Sequence, residues 1–120
     1  MMKINSLSIK TTQIEKMKNF YSALGLKFET TQVNKGSFIE KTLVNEMEFK
    51  LIPSAVAQDS KMPSFQFSFL VQNIEAVCQR LKEQELGIEI LELTEFPDRK
   101  SANFLDPDGN AVELYLPVNL

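Results

Sequence analysis

The sequence predicts an α+β fold made of two βαβββ modules, and three observations lead there. A strand-like segment, an amphipathic helix and three further strand-like segments follow one another twice within 120 residues. The Ile14-Glu15 pair that opens the first helix returns as Ile74-Glu75, displaced by 60 positions. Neither half, at about 55 to 60 residues, buries much core alone, so two halves whose helices cover one sheet system is the stable arrangement. The chain therefore reads as one domain, with module one at about 1–57 and module two at about 64–120.

The elements follow in order. From Ile4 to Ile9, Leu7 and Ile9 share one face with Asn5, while Ser6 and Ser8 share the other with Ile4, the alternation of a strand. Thr12-Gln13-Ile14-Glu15 has the spacing of a capping box, in which the Thr12 hydroxyl and the Glu15 carboxylate satisfy free amides at a helix start. Ile14, Met17, Phe20, Tyr21 and Leu24 continue at helical spacing, and Gly25 provides the stop. Lys27 to Val33, Ser37 to Val44 and Glu48 to Ile52 then read as strands, separated by Asn34-Lys35-Gly36 and by a turn near Asn45. Pro53 to Pro63 is a connection.

After it the order restarts. Phe65, Phe67 and Phe69 alternate with Gln66, Ser68 and Leu70, and the phenylalanines are expected as core under the second helix. Asn73 is placed to cap that helix, whose stripe is Ile74, Val77, Cys78 and Leu81, with Gly87 at its end. Strands are expected at Ile88 to Leu93, Ser101 to Leu105 and Ala111 to Leu116. Asp106-Pro107-Asp108-Gly109-Asn110 joins the last two, proline presetting one turn angle and Gly109 tolerating positive φ.

Composition narrows the function classes. Thirteen basic against sixteen acidic side chains give a net charge of −3 without a Lys/Arg run, which argues against a nucleic-acid footprint or an anionic-membrane patch. With no histidine, the commonest metal ligand, general base and triad partner are all missing. The single cysteine excludes an internal disulfide framework and any multi-cysteine metal site, and Cys78 itself falls on an apolar stripe as a small core residue. Met1 to Lys10 lacks a signal-peptide pattern, and no apolar run approaches the ~18 residues that span a membrane, so cytoplasmic residence is expected.

Strand side chains that do not pack under a helix point to the opposite sheet face. On the first and last strands of each module that face carries Ser6, Ser8, Glu48, Lys50 and Ile52, then Gln66, Ser68, Ala111, Glu113 and Tyr115. Such a lining of hydrogen-bonding groups suits a small organic ligand. Alternation alone leaves a second reading open, in which the polar face is merely hydrated. Asp106 and Asp108 belong to a turn and not to an acid-base pair.

Asn19-Phe20-Tyr21-Ser22-Ala23-Leu24-Gly25-Leu26 after a short strand, and Asn103-Phe104-Leu105-Asp106-Pro107-Asp108-Gly109-Asn110 before Val112-Glu113-Leu114, combine with the duplicated module order. In these features the chain resembles the vicinal oxygen chelate superfamily, which includes glyoxalases, extradiol dioxygenases and bleomycin-resistance proteins. The resemblance implies curved, mainly antiparallel half-barrel sheets with helices on the outer face, a site in the concave cleft, and a homodimer. Metal-using relatives take ligands from the first and last strands of each module. By position these fall near Ser6, near Lys50, on Gln66 and on Glu113. Only Glu113 keeps a metal-binding type, so no metal and no other cofactor is expected. Lys50 and Glu113 are expected either to pair, an ammonium replacing the metal's charge, or only to balance charge.

The resulting expectation is a metal-independent small-molecule-binding protein, of the glyoxalase/bleomycin-resistance type, with contacts from Ser6, Ser8, Lys50, Gln66, Ser68, Glu113 and Tyr115. Two alternatives stand beside it. One is a divergent glyoxalase- or dioxygenase-like enzyme, a lyase or oxidoreductase using Glu113 with an atypical metal or none. The other is a non-catalytic interaction protein with a closed cleft.

Overall fold

The computed structural model describes residues 2–55, 66–84 and 93–118, which fall into two compact units, Met1–Asp59 and Ser60–Leu120. The join expected between 57 and 64 lies outside the described residues, as do Phe65, Gly87 and all but the last residue of the strand expected at Ile88 to Leu93.

Unit one contains β1 (Ser6–Thr11), α1 (Ile14–Ala23), β2 (Glu29–Asn34), β3 (Ser37–Val44) and β4 (Met47–Pro53) in a sheet ordered β1-β4-β3-β2. β1 runs parallel to β4, and the other neighbours are antiparallel. The helix stripe covers one face of this sheet. Met17, Phe20 and Tyr21 are fully buried with Ile9, Phe49 and Leu51. The Tyr21 ring lies 4.9 Å from Phe20 and 5.1 Å from Phe49, edge-on or tilted, as aromatic quadrupoles prefer. Each such side chain contributes about 1.5–3 kcal/mol on burial.

One acid sits on this inner side. Glu40 is buried beside Leu51 in the register, where it accepts from Thr30 Oγ1 at 2.6 Å and pairs with Lys18 of α1 at 3.2 Å. A buried charge is tolerated when it is paired and hydrogen-bonded, so the Lys18–Glu40 pair ties α1 to the sheet.

The expected capping box at Thr12 and Glu15 does not form. Pairing with β4 carries β1 on to Thr11, whose Oγ1 accepts from the Gln13 amide at 3.1 Å, so Gln13 occupies the N-cap without a side-chain cap bond. The helix starts one residue later than the box requires, and Glu15 is out of register for the reciprocal bond. The expected stop is present: Gly25 has φ 111°, its amide donates to the Ser22 carbonyl, and the Leu26 amide donates to that of Tyr21. Gly36 at φ 83° and Asn45 at φ 57° make the two hairpin turns.

Unit two repeats the topology. β5 (Gln66–Leu70), α2 (Ile74–Glu83), β6 (Thr94–Glu95), β7 (Arg99–Leu105) and β8 (Ala111–Pro117) form a sheet ordered β5-β8-β7-β6, with β5 parallel to β8. The short β6 begins just after Leu93. Asn73 caps α2 as expected, its Oδ1 accepting from the Ala76 amide at 3.2 Å. Ile74, Val77, Cys78 and Leu81 are buried with Ala102, Phe104, Val112 and Leu114. Phe67 and Phe69 pair with Val112 and Leu114 in the register but are only half-buried. Asp106 organises the β7–β8 turn: Oδ1 accepts from the amides of Asp108 and Asn110, and Oδ2 from Asn110 Nδ2, all at 2.9 Å. Among the described residues no helix is long and apolar enough to cross a membrane.

The two helix starts give opposite outcomes in urea denaturation. Asn73→Ala is expected to cost about 1 kcal/mol, and Thr12→Ala to stay within about 0.5 kcal/mol. Equal costs at both positions contradict the cap assignment.

Candidate functional site

The face of each sheet away from its helix is polar, and register determines which side chains meet there. In unit one, Ser6 lies beside Glu48 and Ser8 beside Lys50, while Lys41 and Leu43 of β3 flank Lys50 and Glu48 on the other side. Two lysines directly opposite each other repel. Glu48 relieves this, lying 3.3 Å from the Lys50 ammonium and 3.9 Å from that of Lys41. Each of these side chains is about one-third exposed, so each pair contributes at most about 1 kcal/mol.

A cavity of about 440 Å³ lies over β2–β4, lined by Lys27, Glu29, Lys41, Thr42, Leu43 and Glu48. Ser6, Ser8 and Lys50 are not in its lining; their register neighbours Glu48 and Lys41 are. Lys41 and Leu43 lie on β3, outside the first and last strands whose alternation gives the expected lining. The signal was their alternation with Thr42 on β3.

In unit two the expected residues come together more closely. Ser68 and Glu113 are register partners on β5 and β8, and the Ser68 hydroxyl donates to Glu113 Oε1 at 2.6 Å. The Ser101 hydroxyl donates to Oε2 at 2.7 Å, and Asn103 Nδ2 donates to Ser101 Oγ at 3.2 Å. Such short O–H···O⁻ bonds are charge-assisted. Ser101 is only 3% exposed, so its hydroxyl is a fixed donor. The Ser68 bond, then the Ser101 bond, hold the Glu113 carboxyl below its ordinary value of 4.5, with a further contribution from the Arg99 charge and opposition from burial. Gln66 and Tyr115 flank this group, each two residues away along its strand. Ser101 and Asn103 escaped the sequence reading, although they alternate with buried Ala102 and Phe104.

The four positions that the resemblance assigns to metal ligands hold Ser6, Lys50, Gln66 and Glu113, of which only Glu113 is a metal-binding type. Both Glu113 oxygens already accept serine hydroxyls. Lys50 presents an ammonium, which has no lone pair and is engaged by Glu48. Ser6 and Gln66 are neutral and weak donors to a metal. Among the described residues no three His, Cys, Asp or Glu side chains converge. The residues present do not fit a divalent transition ion. Lys50 and Glu113 each have partners within their own unit, Glu48 for the first and two serines for the second. Cys78 is buried, which pushes its thiol up, away from reactivity.

The lowered carboxyl of Glu113 has a defined stability signature. Its contribution is present above the ordinary value of 4.5 and is lost as pH falls through the lower folded value. Removing both donors in Ser68→Ala/Ser101→Ala returns the carboxyl towards 4.5. The stability difference between pH 7 and pH 3, read by urea denaturation, is expected to shrink in this variant, and an unchanged difference contradicts the hydrogen-bonded carboxylate.

Comparison with known proteins agrees with this architecture. Residues 3–53 match the Bd2520-like N-terminal family of lactoylglutathione lyase-like proteins. No curated protein matches the chain in sequence. Similar solved structures include the antibiotic-binding protein TnmS3 from Streptomyces sp. CB03234, with a TM-score of 0.70 at 23% identity, covering 98% of each chain. An integron cassette protein from V. cholerae gives 0.71 at 20% identity, over 97% of this chain and 95% of that one. Lactoylglutathione lyase from Agrobacterium tumefaciens gives 0.65 at 18% identity, over 95% and 92%. With two βαβββ units of one topology and these structural neighbours, the chain has a two-module α+β fold of the glyoxalase-like kind.

Proposed function

We propose that this chain is a metal-independent small-molecule-binding protein of the glyoxalase/bleomycin-resistance type, which holds its ligand on the polar faces of its sheets. The observation that carries this reading is the state of Glu113. The one metal-binding residue type kept at an expected ligand position accepts a serine hydroxyl on each oxygen, and the other expected positions hold Ser6, Lys50 and Gln66, which are not metal-binding types. Ser6, Ser8 and Lys50 in unit one, and Gln66, Ser68, Glu113 and Tyr115 in unit two, are the proposed contacts. The fold likeness to an antibiotic-binding protein supports it. Assembly as a homodimer in the cytoplasm belongs to the same proposal.

The likeness to a lactoylglutathione lyase raises the enzyme reading, with Glu113 as a metal-free general base. A good base has a pKa near the operating pH. Glu113 is shifted the other way, below 4.5, by donors that stabilise its charged form. The group is therefore better suited to holding a ligand than to taking its proton.

Thermal denaturation against a broad panel of small molecules tests the proposal. At least one member is expected to raise the melting temperature, by an amount corresponding to about 2.7 kcal/mol at a hundredfold excess over Kd. Glu113→Gln is expected to lose that shift, and EDTA, zinc or nickel to leave the melting temperature unchanged. A metal bound one per chain that EDTA strips with a fall in melting temperature contradicts the proposal.

A further inference from the structure

Glu113 lies on the polar face of unit two without an ion-pair partner among the described residues, whereas several nearby acids are engaged. Asp106 is consumed by its turn, Glu75 and Glu95 pair with Lys100, and Asp98 pairs with Arg99. Arg99 acts on Glu113 only through its charge and not as an ion-pair partner: Nη1 lies 2.8 Å from Asp98 Oδ1, and its guanidinium sits 4.0 Å over the Phe96 ring.

A carboxylate offers about four lone-pair sites, two on each oxygen. Ser68 takes one on Oε1 and Ser101 one on Oε2, which leaves one on each with respect to the described residues. Two free sites on a planar group, fixed in orientation by a buried serine that Asn103 in turn holds, match two parallel N–H donors of an amidinium or guanidinium. The next row of the same face, two residues along the strands and so about 6.8 Å away, pairs Leu70 with Tyr115. Leu70 is 66% exposed. A flat apolar body attached to the cationic head would lie there.

Resting on the binding function proposed above, we infer that unit two binds an organic cation of the amidinium or guanidinium class, its head on Glu113 between Ser68 and Ser101 and its apolar body over Leu70 and Tyr115. Ser101 is a positioning residue in this scheme, since it acts through the carboxylate. A neutral head group gives up the charge assistance of the bond, and an anionic one is repelled.

The test is an NMR titration of the full chain with three probes of one shape, benzamidinium, benzamide and benzoate, following backbone amides. Benzamidinium is expected to shift amides of β5, β7 and β8 saturably and to bind about tenfold or more tighter than benzamide, the factor that a charge-assisted hydrogen bond supplies. Glu113→Gln is expected to weaken benzamidinium by about the same factor while leaving benzamide unchanged, and Ser101→Ala to weaken it less. Benzamide or benzoate binding as tightly as benzamidinium, or benzamidinium binding undiminished in Glu113→Gln, overturns the cation assignment and leaves the binding function standing. If none of the probes shifts this face while the broad panel yields a ligand, the cation assignment alone falls; if the panel is silent too, both fall. Where Glu113→Gln does not fold, the ranking of the three probes on the unaltered chain decides.

Discussion

Parallel pairing of the first and last strands in each unit is the constraint on which the rest depends. It sets Ser6 beside Glu48 and Ser8 beside Lys50 in unit one, and Ser68 beside Glu113 in unit two. A slip of one residue would turn every one of these side chains under the helix. The pairing is held from the other side of the sheet, where Ile9, Phe49 and Leu51 meet α1, and Val112 and Leu114 lie under α2. The apolar alternation thus fixes the polar face, because each buried residue forces its neighbours outward.

Electrostatics on the two faces is arranged differently. Unit one shares one carboxylate, Glu48, between two lysines, which leaves this trio one positive charge in excess beside a cavity. Unit two stabilises the charge of Glu113 chiefly with neutral hydroxyls, the Arg99 charge adding to them from outside hydrogen-bonding contact. Hydroxyl donors keep Glu113 ionised without neutralising it, so the negative charge remains available to something outside the protein. A metal needs further anionic or imidazole donors around it, and this face supplies serine, glutamine and asparagine instead.

Much of this was legible in the sequence, for a local reason. Period-two and period-3.6 patterns depend on nearest neighbours, and so the Ser6/Ser8 and Leu7/Ile9 faces, the α1 stripe, the Asn73 cap and the Asp106 turn could be read directly. What escaped depended on distant partners. The start of α1 moved because β4 extends β1 to Thr11, which a local capping pattern does not contain. Glu40 packs inward because Lys18 and Thr30 reach it. Ser101 and Asn103 matter only through the register of β7 against β8, which sets Asn103 opposite Glu113. The motif resemblance pointed to the strand carrying Glu113 but was silent about the strand beside it.

The central claim is that the Glu113 carboxylate is ordered by hydroxyl donors and not by a metal. Carbon-13 NMR of the Glu113 side-chain carboxyl, titrated with acid in the presence and absence of zinc, addresses it directly. A midpoint below 4.5 that zinc does not move is the predicted result. A midpoint at or above that value, or a carboxyl resonance displaced by one equivalent of zinc, would contradict it.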